Sequence, residues 1–174
     1  MKPEEKQGMQ TKVWGPSAWF FLHITAQNYD PSKKGMKEGY RAFFSNLKNV
    51  LPCGACRYNY GKLIKSKDLK FDNRVLASRK TLSFWLFKLH NKVQQDIYKK
   101  SGLSRDKPKY SNSIKDFNKV YALYESFRAK CSRDPKVEYG CTVPDDGRKK
   151  RSKIYVSKMK DFKAHTSLII GKCK

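Results

Sequence analysis

The sequence predicts an all-α protein, a bundle of four or five helices followed by a basic C-terminal tail. Three observations support this. Apolar residues recur at three- and four-residue spacing in five separate segments. X-Pro steps and Gly-containing stretches separate those segments. Strand signals are scarce until a short run at Lys153–Val156. At 174 residues the chain suits one domain and a tail, enough to bury a real core without disulfides.

Taken in order, residues 1–12 are polar and expected to be a loose, flexible N-terminus. Trp14-Gly15-Pro16 reads as a turn, with Pro16 or Ser17 opening the first helix, because Pro is accepted in a first helical turn. Trp19, Leu22, His23 and Ala26 then share one stripe until Asp30-Pro31 stops the helix. A second helix fits Lys37–Val50, with Tyr40, Phe43, Phe44 and Leu47 on one face, and Leu51-Pro52 breaks it. A third starts at Pro52-Cys53 and runs to about Ser66, carrying Cys56, Tyr60, Leu63 and Ile64. A fourth covers Lys80 to about Lys100, its apolar face formed by Leu82, Trp85, Leu86, Leu89, His90, Val93 and Ile97. Ser101–Ser111 is a loop punctuated by Gly102 and Pro108. A fifth helix fits Ser113 to about Ala129, with Phe117, Val120, Tyr121, Tyr124 and Phe127 on its buried side. The expected divisions are a flexible segment at 1–12, a domain at 13–145 and a basic tail at 146–174.

The net charge of +24 exceeds what solubility needs and favours polyanionic or acidic partners, although a solvated lysine-rich surface explains charge alone. Residues 148–174 hold ten Lys or Arg against one Asp. The N-terminus is polar and shows no signal-peptide pattern, and no apolar run is long enough to span a bilayer, so a non-membrane protein is expected. Five cysteines in such a chain point to redox or metal chemistry.

Cys53 and Cys56 lie three residues apart at a helix start, where exposed amides favour a thiolate, the nucleophile of disulfide exchange. Half a zinc site is the competing reading. It needs two more ligands, and neither a second CxxC nor an HxxxH is present, so no metal is expected. The pair is bracketed by two Trp/His segments, Trp14–His23 and Trp85–Val93. Indole and imidazole faces can enclose a flat heteroaromatic, and Asn91 can hydrogen-bond its edge. Trp85 and His90, five residues apart, are expected to approach one face. Together these features point to a dithiol beside a bound flavin. Cys131 and Cys141 are expected to form a structural disulfide across a small loop. Cys173 is left over as a free thiol, an intermolecular link or part of a relay.

In their order and spacing, Trp14–His23, Leu51–Tyr60 and Trp85–Gln94 resemble the Erv/ALR family of FAD-linked sulfhydryl oxidases. The chain looks most like versions encoded by nucleocytoplasmic large DNA viruses, where Tyr124–Cys131 and Gly140–Pro144 have counterparts. The resemblance implies a four-helix bundle plus a short fifth helix, with FAD at its mouth. It implies that two protein thiols become a disulfide while O2 becomes H2O2. Cys53 would exchange with substrate and Cys56 would lie against the flavin. Trp14, Gly15, Trp19, His23, Trp85, His90, Asn91 and Val93 would line the cofactor site, with Gln94 standing where the family's HNxVN element has Asn. Lys107 and Tyr110 would match a Lys-Pro-x-aromatic element, after an insertion at 101–106. Implied partners are protein dithiols or a small dithiol relay protein, O2, and a second copy in a homodimer. The implied setting is host cytoplasm or virion. No second CxxC or CxC shuttle pair is present. A basic nucleic-acid-binding module, supported by the charge and by Tyr58, Tyr60 and Tyr110 among Lys and Arg, is the alternative. A thioredoxin-like reductant would need a βαβ pattern, and helical periodicity flanks the CxxC instead.

Overall fold

The computed structural model describes residues 7–100, 116–132 and 140–144. Five helices dominate: α1 (Thr11–Gln27), α2 (Met36–Val50), α3 (Gly54–Leu63), α4 (Arg79–Lys100) and α5 (Phe117–Glu125). A single 3₁₀ turn, Val75–Ala77, leads into α4. Two short antiparallel strands, β1 (Ala129–Ser132) and β2 (Gly140–Pro144), follow α5. The chain divides into two compact units, Met1–Arg128 and Ala129–Lys174.

The first unit is the helical one. Its core gathers the predicted stripes: Leu22 and Ala26 from α1, Phe44 and Leu47 from α2, Tyr60 from α3, and Leu82, Trp85, Leu86 and Leu89 from α4, closed by Tyr29, Leu69 and Leu76. The buried polar tips are satisfied. Tyr29 and Tyr60 donate their hydroxyls to the carbonyls of Leu76 (2.8 Å) and Phe44 (2.7 Å). The Trp85 indole donates to the Leu69 carbonyl at 2.9 Å. These bonds tie α3 to α2, the loop after α1 to the 3₁₀ turn, and α4 to the loop before it, at points where an unmet donor would cost about 1–3 kcal/mol.

α2 and α4 agree with the predicted segments to within a residue, α3 ends at Leu63, three residues before the expected Ser66, and larger differences fall at both ends of the unit. The first helix begins at Thr11, five residues before Pro16, which sits inside it. The segment ahead of it, expected to be loose, is bonded to the CxxC. Gly8 bridges Cys53, the Met9 amide donates to the Pro52 carbonyl at 2.6 Å, and the Gly54 amide donates to the Gln7 carbonyl at 2.9 Å. Residues anchored this way can start a helix early, and Pro16, near its start, brings no amide to the carbonyl four residues back. At the other end, α5 stops at Glu125 instead of continuing to Ala129, and none of its residues is fully buried. Phe127 stays 42% exposed. Ile97, expected on the apolar face of α4, is also exposed.

In the second unit, Ala129 pairs with Pro144, Lys130 with Val143 and Ser132 with Gly140, with a register shift in between. Sequence reading missed this hairpin because both strands are short and its only strand signal lay at Lys153–Val156, outside the described residues. The division between the two units falls after Arg128, inside the expected domain at 13–145. Cys141 is disulfide-bonded. The basic tail at 146–174, Cys173 and the insertion at 101–106 also lie outside the described residues.

Candidate active site

Cys53 and Cys56 form a disulfide at the start of α3, their Cα atoms 5.1 Å apart, within the ordinary span of a disulfide. Cys53 is the N-cap residue, in extended conformation, and the Cys56 amide donates to its Sγ at 3.2 Å. On reduction, that amide and the helix start stabilise a thiolate on Cys53. Pro52 and Gly54 accept and donate the backbone bonds to residues 7–9 that hold the motif in place. Gly8 is needed for this approach: a Cβ there would lie 2.6 Å from Cys53 Cα and 2.7 Å from the Pro52 carbonyl. Sequence reading passed over Gly8, because nothing local marks a glycine as a contact to a residue 45 positions away.

The Trp/His segments split into two sets. Trp19, His23 and His90 come together. Trp19 stacks on His90 with ring centres 4.0 Å apart and planes 8° from parallel. His23 stacks on Tyr124 of α5 at 4.8 Å and 12°. The two imidazoles meet edge to edge, His23 Nε2 to His90 Nδ1 at 3.2 Å. The Gln94 side-chain amide lies 3.4 Å from His90 Nε2. With Gln94 donating there, His90 carries its proton on Nδ1 and donates to His23 Nε2, which leaves the His23 proton on Nδ1. Burial, with His90 beside it, pushes the His23 pKa down to about 3, and burial takes His90 to about 4. Both rings are therefore neutral near pH 7, and the chain Gln94–His90–His23 runs in one direction.

Trp85 belongs to the other set. It packs edge-on against Phe44 at 5.7 Å and against Phe71 at 4.7 Å, in the hydrophobic core. Five residues of helix turn by about 500°, leaving Trp85 and His90 about 140° apart around α4, so the expected shared face is not formed. Trp14, near the start of α1, donates its indole N–H to the Met9 carbonyl at 3.2 Å, beside the segment that pairs with Cys53. Trp19 follows the start of α1 by eight residues, roughly 12 Å along the axis. Gly15 faces open space: a Cβ there would meet nothing within 4 Å. Asn91 and Val93 are half-buried. Lys107 and Tyr110 lie outside the described residues.

Tyr124, placed by sequence reasoning in the buried stripe of the fifth helix and in a stretch with viral counterparts but not among the cofactor residues, joins the cluster of Trp19, His23 and His90. Its ring covers His23, and burial pushes its hydroxyl up to about 12. α5 is held there by a polar clamp at the end of α1. Arg128 donates to the Gln27 carbonyl at 3.1 Å and pairs with Glu125 at 2.6 Å, while the Gln27 amide donates to Glu125. A cation against the C-terminal carbonyls of α1 is favourable to the helix dipole. The Arg128 bond holds the Glu125 carboxyl down to about 2.

The arrangement combines a dithiol poised for exchange with parallel aromatic faces of indole, phenol and neutral imidazole. Indole, phenol and neutral imidazole groups, with the Gln94 amide beside them, are of the kind on which a planar heteroaromatic ring system stacks without a charge to desolvate.

Comparison with known proteins agrees. Residues 16–122, more than half of the chain, match the sequence profile of the Erv1 / Alr family. The chain belongs to the Erv1/Alr family. A mimivirus protein named as a probable FAD-linked sulfhydryl oxidase is 36% identical over 94 residues, covering 53% of this chain and 64% of that protein. An African swine fever virus protein named FAD-linked sulfhydryl oxidase is 30% identical over 89 residues, covering 50% of this chain and 70% of its own. The yeast mitochondrial FAD-linked sulfhydryl oxidase is 28% identical over 86 residues, covering 49% of this chain and 43% of its own. An invertebrate iridescent virus relative is matched over 58% of its length, so the chain spans less than two thirds of both this protein and the mimivirus one. The Erv1/Alr match takes in the CxxC, the first Trp/His segment from Pro16 onward, the whole of the second, and α5 as far as Ala122. Among the described residues, no helix is long and apolar enough to cross a membrane.

Proposed function

We propose that this chain is an FAD-dependent thiol oxidase that forms disulfides in protein dithiols and delivers the electrons to O2, producing H2O2. The observation that carries this reading is the Cys53–Cys56 disulfide at the start of α3, with the Cys56 amide on Cys53 Sγ, in a chain of the Erv1/Alr family. A substrate thiolate attacks Cys53 Sγ, a mixed disulfide forms and Cys56 leaves as thiolate. The second substrate thiol then attacks its own half of the mixed disulfide. The substrate leaves oxidised, and Cys53 and Cys56 remain as a reduced pair. FAD, when bound, supplies the oxidation of that pair and the two-electron reduction of O2, so that two thiols and O2 yield one disulfide and H2O2.

Trp19, His23, His90 and Tyr124 would hold the flat rings of the cofactor, and Gln94 and Asn91 its polar edges. Neutral imidazoles suit this role, since a buried cation beside an uncharged ring would cost solvation. Trp14 and Gly15 would line the site near the dithiol, Val93 would add apolar contact, and Trp85 would support it from the core. Lys107 and Tyr110 would complete it. The exposed Val13, Phe20 and Phe21 on α1 support burial against a second copy in a homodimer. Cys131 is proposed as the partner of Cys141 in the hairpin. The viral relatives support a role in disulfide formation during viral assembly in host cytoplasm.

The test is an absorption spectrum of the purified protein in air, before and after dithiothreitol. A flavin spectrum that bleaches and recovers as oxygen is consumed is the expected result. A folded protein that stays colourless after addition of FAD would overturn the proposal.

A further inference from the structure

We infer that a basic cleft between α2 and α3, opening beside the Cys53–Cys56 pair, docks an acidic, cysteine-bearing polypeptide that delivers its thiols to Cys53. This rests on the thiol-oxidase reading and names the class of substrate. The cleft is a solvent-open depression of about 400 Å³, lined by Lys48 of α2 and by Gly54, Arg57, Tyr58, Lys62 and Lys65 of α3 and the turn after it. Neither cysteine lines the cleft, but Gly54, the residue after Cys53 and the first of α3, does, so one end of the cleft reaches the backbone next to Cys53. Tyr58, Lys62 and Lys65 recur at helical spacing and share one face.

The cleft is cationic and built. The Arg57 guanidinium donates to the Leu51 carbonyl at 2.7 Å, which fixes its position. The Lys62 ammonium lies over the Tyr58 ring, 4.3 Å from its centre. Lys48, Lys62 and Lys65 are exposed. Among the described residues the ion pairs lie elsewhere, at Arg74–Asp72, Arg79–Glu125, Lys92–Asp96 and Arg128–Glu125. No described carboxylate neutralises these four cations, and the cleft is lined by none. A field of one sign beside a reactive group raises the encounter rate with oppositely charged partners by about 10- to 1,000-fold at low salt. Placement at the CxxC favours a protein over a nucleic acid as occupant, because only a protein brings thiols to be oxidised.

The experiment compares three substrates on the full-length, flavin-loaded protein: dithiothreitol, and two Cys-x-x-Cys peptides flanked either by four Asp/Glu or by four Ser. Cysteine-free versions of both peptides, with Ser in place of Cys, are used for binding by fluorescence anisotropy. The acidic peptide is expected to show a KM lower by about tenfold, an advantage that shrinks as salt shortens the Debye length. The variant Lys48→Glu/Lys62→Glu/Lys65→Glu is expected to lose that advantage in both KM and anisotropy while its dithiothreitol turnover stays within about twofold. The milder Lys62→Gln/Lys65→Gln variant, which keeps the fold if charge reversal does not, should fall in between. Equal KM for the two peptides, or an unchanged KM in the variants, would overturn the inference. So would a single-stranded oligonucleotide of matched charge that displaces the acidic peptide and is itself lost in the variants, since the cleft would then serve nucleic acid. If the unaltered protein fails to oxidise dithiothreitol, the oxidase reading falls and thiol delivery falls with it. The anisotropy arm then still reports whether the cleft selects acidic chains.

Discussion

At the residue scale, the dithiol and the histidine pair make separable predictions. Cys53→Ser should abolish oxidation of substrate dithiols and leave flavin absorbance intact, because the stacking faces belong to Trp19, His23, His90 and Tyr124. Turnover retained in Cys53→Ser would refute its role. The histidines predict a pH dependence of stability. Their folded pKa values, about 3 and about 4, lie below the ordinary value of 6.5. The unfolded chain therefore binds protons first as pH falls, and stability drops from near pH 7 down towards pH 4. The slope reaches about 1.4 kcal/mol per pH unit for each histidine. Urea unfolding at pH 7.5, 6 and 5 should show the loss, and His90→Gln should flatten it. A stability independent of pH over this range would show that the rings are not held neutral by burial.

At the scale of elements, α4 is the keystone, since it carries Leu82, Trp85, Leu86 and Leu89 into the core while Ser83 and His90 bond to Gln27 and His23 of α1. Leu86 is fully buried, and Leu86→Ala should cost about 2–5 kcal/mol, read as a fall in the urea midpoint. A loss under about 1 kcal/mol would mean that neighbouring helices collapse into the gap. α5 combines aromatic contacts, Phe117 on Phe84 and Phe87 and Tyr124 on His23, with polar ones. Asp116 caps it by accepting from the Asn118 and Lys119 amides, and the Gln27–Glu125–Arg128 clamp fixes its far end to α1. Its stripe of aromatics was legible in the sequence, but its length was not. The turn at Ser126–Phe127 ends it where hydrogen bonds to α1 become available.

For the whole molecule, the division after Arg128 predicts that the helical unit stands on its own. A chain ending at Arg128 should keep its helical circular dichroism and unfold cooperatively within a few degrees of the full-length protein. Loss of cooperative unfolding on that truncation would show that the hairpin unit is part of the same core. The net charge of +24 is a molecular property read directly from composition, but only the fold decides where unopposed cations gather. Lys48 and Lys62 are 14 residues apart, and nothing in the sequence brings them to one cleft.

Periodicity and spacing by themselves determined the helical class, the order of the helices and the placement of the CxxC at a helix start, and the motifs carried the resemblance to the family. All of these depend on residues close together in the chain, where a repeat of three or four residues has a local physical meaning. The tertiary structure decided the long-range pairings. It placed Gly8 against Cys53, His23 beside His90 and under Tyr124, Trp85 in the core away from them, and Arg128 on the end of α1. Such contacts are chosen by how whole helices pack and by which buried polar groups then need a partner, and neither is written in the spacing of any one segment.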